Sequence, residues 1–149
     1  MSTQTARDYF NRVRRDSVAL QGYLREIEAL KDGIVPSSAE TMRGAKGVGD
    51  PVFGTIVRAS EMLASVEAKR DAALESIGEA LAIIEGARRA MGSKADAVEL
   101  YYIDILEWDD VARELGVSER TARYWANDVF AMLDATPPAY IVGLRGANY

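Results

Sequence analysis

WDDVARELGVSERTARYWAN, residues 108–127, decides the fold of this chain. Val111, Ala112 and Leu115 lie at i, i+1 and i+4, the inward face of a short helix, and Ala112 is small where a second helix must cross closely. Gly116 follows where the chain must enter a left-handed conformation, Val117 packs the turn, and Ser118 is an N-cap for what comes next. A second helix therefore starts near Glu119. On it Ala122, Trp125 and Val129 fall at i, i+3 and i+7 and face inward, leaving Ser118, Glu119, Arg120, Arg123, Tyr124 and Asn127 outward. A small residue, a turn glycine and several apolar positions agree over one short stretch, which specifies a helix-turn-helix with a candidate reading face for DNA. The same corner also serves as a pure packing or protein-binding unit in helical bundles.

Upstream, AVELYYIDIL (97–106) reads as a helix that begins after Gly92. Ser93 and Asp96 stand in a capping-box arrangement, and Val98, Tyr101, Tyr102 and Ile105 form an apolar stripe. Three helices then close a small core. With its tyrosine-bearing helix ahead of the turn, this part resembles region 4, the C-terminal DNA-binding region of bacterial sigma factors. The order of parts along residues 9–134 also resembles sigma-like regulators of Gram-positive phages, of the autolysin-regulator late-activator type, most sharply over the last forty or so residues. The resemblance implies control of phage late-gene transcription.

The N-terminal part reads as a helical hairpin. Val13, Leu20, Ile27 and Ile34 repeat every seven residues, Tyr23 and Leu30 fill the intervening positions and Leu24 broadens the stripe, the spacing of a coiled-coil seam. Serines and glycines then place a loop over residues 35–50. Asp50 and Pro51 provide an N-cap and a first-turn proline for a long helix reaching about Ala90, with Ile56, Leu63, Val66, Ile77 and Ile84 on one face, Leu74 and Leu81 widening it, and Arg70 interrupting the seam. Such a helix spans roughly 60 Å, too long for one short partner to cover, which points to a homo-oligomer, a dimer first, with an intramolecular bundle as the alternative.

Composition narrows the function. The 149 residues are 48% hydrophobic and contain no cysteine and no histidine, so disulfides, thiolate or imidazole metal sites and histidine bases are absent. No cofactor is expected. The glycines of 44–49 lack the order of a phosphate-binding loop, and Asp109 and Asp110 are adjacent on a helix, so their carboxylates diverge. An enzyme is not expected. The N-terminus has no signal-peptide run and no stretch is long enough to span a bilayer, so the chain is expected in the cytoplasm of a bacterial host cell, away from membrane.

Charge opposes the DNA reading. Between residues 94 and 135 four basic residues, Lys94, Arg113, Arg120 and Arg123, stand against ten acidic ones, a poor balance for a polyanion. Locally, Arg120 and Arg123 share a face with Asn127, and Arg88, Arg89 and Lys94, or Arg12, Arg14 and Arg15, are candidates for flanking phosphates or else a solvated helical face. On duplex DNA, Arg120 or Arg123 would donate to guanine, Asn127 would pair with adenine, Ser118 and Thr121 would touch phosphate, and Tyr124 would stack or reach phosphate. Glu119 is better suited to capping than to a cytosine amino group, and Trp125 and Trp108 to structural roles. Glu107, Asp109 and Asp110 are candidates for contacting a basic patch on host RNA polymerase, or simply an acidic helix start.

The expected architecture is all-α, with a helical hairpin and oligomerisation region over 1–92, a sigma region-4-like helix-turn-helix domain over 93–135, and a tail over 136–149. After Pro137 and Pro138 the apolar tail either docks back or forms a partner patch. The expected function is sequence-specific DNA binding in transcription regulation. A small-terminase-like DNA-packaging subunit is the alternative, although its reading unit usually comes first, and a protein-interaction module without DNA binding is a third class.

Overall fold

The computed structural model describes residues 5–44 and 49–136, with side chains at 5–32 and 54–136. Among these residues the structure is all-α, without strands: α1 Ala6–Gly44, α2 Gly49–Met91, α3 Lys94–Val98, a π-helical turn Glu99–Ile103, α4 Trp108–Leu115 and α5 Glu119–Ala135. No helix of the described residues is long and apolar enough to cross a membrane.

Local chemistry sets the ends of these elements. The Thr5 hydroxyl accepts from the Asp8 amide at 3.1 Å, and Asp134 accepts from the Ala6 amide at 2.8 Å, so α1 begins on a hydroxyl cap and a carboxylate from α5. The loop expected over 35–50 is shorter, because α1 continues to Gly44 and α2 begins at Gly49. Ala39, Glu40, Met42 and Arg43 are strong helix formers and outweigh the serines beside them. Residues 45–48 and the tail 137–149 lie outside the described residues, as do the side chains of Asp50 and Pro51 and the capping roles expected of them.

Two compact units are present. One is Ala19–Leu74; the other, among the described residues, contains 5–18 and 75–136. In the first, Ile27 and Val66 are buried and Leu20, Tyr23, Leu30, Ile56 and Leu63 are half-buried. Leu24 and Leu74 do not widen the apolar face, since each is 47% exposed. A straight helix drifts about 20° per heptad from a seven-residue seam, which carries such positions out of the packed face.

The second unit holds the larger core, and the expected division between 92 and 93 does not coincide with its limits. Tyr9, Phe10 and Val13 of α1 and Ala80, Ile83, Ile84 and Ala87 of α2 are buried with Val98, Tyr102, Val111, Ala122, Val129, Phe130 and Leu133. Phe10 stacks on Phe130 at 5.6 Å between ring centroids, and both meet Tyr102 edge-on. The Tyr9 hydroxyl donates to Glu79 at 2.6 Å and the Ser76 hydroxyl to Asp16 at 2.8 Å, so within this unit α1 and α2 run antiparallel. Burial first, then the bond to Glu79, pushes the Tyr9 phenol far above its ordinary pKa.

Two local expectations are corrected between α2 and α4. Gly92, at φ 66°, ends α2, but Ser93 has helical dihedrals and its side chain makes no cap bond. Asp96 is instead held by the Arg88 guanidinium at 2.9 Å, together with Glu99 at 2.7 Å and Glu85, and these bonds raise the Arg88 pKa further. The tyrosine-bearing helix expected to reach Leu106 stops early. Its last turn widens so that the Asp104 amide donates to Glu99 and the Leu106 amide to Leu100, each at 3.0 Å, and Ile105 adopts φ 54°. The wide turn lets adjacent residues serve different partners, Tyr102 facing Phe10 and Phe130 while Tyr101 stacks on Trp108.

Candidate nucleic-acid interface

The α4–turn–α5 corner follows the expected local chemistry. Val111 and Ala112 of α4 are buried, Gly116 sits at φ 68°, and the Gly116 and Val117 amides close the helix end on Arg113 and Ala112. Ser118 is extended, and its hydroxyl accepts from the Thr121 amide at 3.1 Å while donating to the Thr121 hydroxyl at 2.9 Å. Both hydroxyls are therefore engaged in the cap, at an exposed helix start. One inward position differs from expectation. Trp125 is only half-buried and Ala126 is buried instead, because α5 packs through Ala122, Ala126, Val129 and Leu133, a row in which small residues allow close approach.

Glu119, Arg120, Arg123, Tyr124 and Asn127 are all exposed on α5, with Thr121 half-buried. None of them projects alone. Arg123 donates to Glu119 at 2.7 Å, an i,i+4 pair, so Glu119 holds a guanidinium rather than capping backbone amides. The Arg120 guanidinium lies 5.4 Å from the Tyr124 ring centroid and donates twice to its hydroxyl at 3.1 Å. Asn127 accepts at Oδ1 from Arg7 of α1, whose guanidinium also lies 5.4 Å over Phe130.

That last bond bears on the adenine contact expected of Asn127. A guanidinium only donates, so the amide must turn its oxygen toward Arg7, whichever way its oxygen and nitrogen are drawn. Pairing with adenine needs both amide atoms, one accepting and one donating. Arg7 takes one lone pair of Oδ1, which leaves a second lone pair and two amide donors, so an adenine contact would share the oxygen with Arg7.

A second path ties α1 to α5. Arg14 lies 4.2 Å over Tyr101, Tyr101 stacks on Trp108 at 4.1 Å and 19°, and Arg123 lies 5.8 Å from the Trp108 ring. Trp108 thus anchors α4 and also supports Arg123 from below. The Arg14 Nε donates to the Tyr101 carbonyl at 3.1 Å and its Nη2 reaches Glu107 at 3.5 Å, which removes Arg14 from the phosphate candidates.

The other basic candidates separate in the same way. Arg88 is surrounded by carboxylates, Lys94 pairs with Asp128 at 2.9 Å, and Arg12 lies over Tyr9. Arg15 and Arg89 are exposed, with no ion pair among the described residues. Of the acidic trio, Glu107 faces Arg14, Asp110 pairs with Arg113 at 2.8 Å, and Asp109 accepts from the Asp110 amide at 3.0 Å. The sequence reading missed Arg7. Grouping α1 arginines by adjacency favoured Arg12, Arg14 and Arg15, whereas the helical period puts Arg7 on the same stripe as Arg14. Comparisons with protein-family models, curated proteins and solved structures find no match to the chain.

Proposed function

We propose that this chain is a sequence-specific duplex-DNA-binding transcription regulator that reads DNA with α5 as the second helix of a helix-turn-helix. The observation that carries the reading is the single outward face of α5. It starts at a serine-capped turn and presents Arg120, Arg123, Tyr124 and Asn127 together, beside Arg7 from α1. Guanidinium groups suit guanine edges and phosphates, and the capped helix start suits a phosphate. The sigma region-4 resemblance adds a target class, promoters of phage late genes, and a partner, host RNA polymerase, for which exposed Asp109 is a candidate contact. Exposed Leu24 and Leu74 are the apolar surface that a second copy would cover.

The acidic balance of residues 94–135 favours a second reading, a protein-interaction module in which the same arginines meet a partner protein. Fluorescence anisotropy separates the two, using DNA from beside the chain's own gene and scrambled duplex at two salt concentrations. Preferential, salt-sensitive binding that Arg123→Ala abolishes is the expected result. Absence of binding to both duplexes would remove the DNA reading and leave the protein partner.

A further inference from the structure

Resting on that DNA reading, we propose that the face of α1 carrying Arg7, Asn11 and Arg15 is a phosphate-contacting surface that grips the backbone of the duplex read by α5. The three residues lie at i, i+4 and i+8, within an arc of about 80°, and all are exposed. Their span along α1 is about 12 Å, enough to meet more than one phosphate of a strand that rises 3.4 Å per nucleotide.

The stripe is joined to the face of α5 at two points. Arg7 donates to Asn127, and Arg14, on the same side of α1, reaches Arg123 through the stacked rings of Tyr101 and Trp108. Asn127 and Arg123 are one turn apart on α5, so this side of α1 flanks the reading face along its length. Arg7 uses part of its five-donor fork on Asn127, and Arg15 has no ion pair among the described residues. Of the neighbouring acids, Asp16 is turned to Ser76 of α2, while exposed Asp8 lies about 100° round the helix from Arg7 and borders the arc on the side of Arg15, two turns away along the axis. The surface also eases the charge conflict, because Arg7 and Arg15 place positive charge beside a face that residues 94–135 leave poor in it.

The test is the salt dependence of duplex affinity for the full chain, Arg7→Ala, Arg15→Ala, Arg12→Ala and Arg123→Ala, measured by anisotropy with specific and scrambled duplex. Each lost phosphate contact lowers the slope of log affinity against log salt by about 0.9. Arg7→Ala and Arg15→Ala are expected to show that loss, equally on both duplexes. Arg12→Ala, the same charge change on the side of α1 that faces Tyr9, is expected to keep the full slope. Arg15 touches nothing that folding needs, so its variant remains informative should Arg7→Ala misfold. Full slopes for both Arg7→Ala and Arg15→Ala, with Arg123→Ala still defective, would overturn the α1 surface and leave the α5 reading standing. No binding by the unaltered chain would overturn both.

Discussion

At the scale of single residues, partners decide function more than residue types do. Asn127 is the kind of side chain that pairs with adenine, yet Arg7 already takes one of the two lone pairs on its oxygen, so any such pairing would have to share that atom. Arg123 is held between Glu119 and the Trp108 ring, so on the proposed reading it would have to exchange one carboxylate for a base or phosphate. Asp104 shows a different residue-level effect. Burial first, then the nearby charge of Glu99, pushes its carboxyl above the usual carboxylate range. The folded state therefore favours the protonated form, and stability rises as pH falls from neutral through that raised value, levelling off below the ordinary value of about 3.9. Asp104→Asn is expected to stabilise the fold at neutral pH by about 0.5 kcal/mol or less, because the group is partly exposed and screened. The difference from the unaltered chain should shrink through about pH 4 and vanish in thermal melts well below the ordinary carboxyl value of about 3.9; an equal difference at neutral and low pH would show that charge is not its cause.

At the scale of elements, the turn between α4 and α5 is a local device. Gly116 is left-handed, and a Cβ there would meet nothing within 4 Å, so replacement carries only backbone strain. Gly116→Ala is expected to destabilise the fold by about 1–2 kcal/mol in denaturant titrations, with Gly116→Asn losing less. Unchanged midpoints for both would show that the turn tolerates any residue. Ile105 adopts the same conformation without being glycine, at the end of the π-helical turn. That irregularity was not legible in the sequence, because AVELYYIDIL has an ordinary helical pattern and only the docking of Tyr101 on Trp108 and of Tyr102 on Phe10 and Phe130 calls for the wider turn. The missing capping box has the same origin, since Asp96 was competed away by Arg88 from another helix.

For the whole molecule, the second unit is assembled from both ends of the chain. Phe10 and Tyr9 from α1 and Ile84 from α2 are as deeply buried as Val129 and Leu133 of α5. A fragment of residues 93–135 lacks those partners and is expected to be largely unfolded by circular dichroism at 25 °C, although its sequence reads as an independent three-helix domain. A cooperative melt of that fragment would show that α1 and α2 are dispensable to its core. The all-α class, the turn glycine, the serine cap and the outward face of α5 followed from the sequence by itself, because helical period and capping act between residues a few positions apart. Tertiary structure alone decided that Phe10 completes the core of α5, that Arg14 and Arg88 are occupied by partners of their own, and that Arg7 reaches Asn127 from 120 positions away. Those pairings depend on how whole helices pack, and no pattern within one helix records which distant side chain will lie opposite.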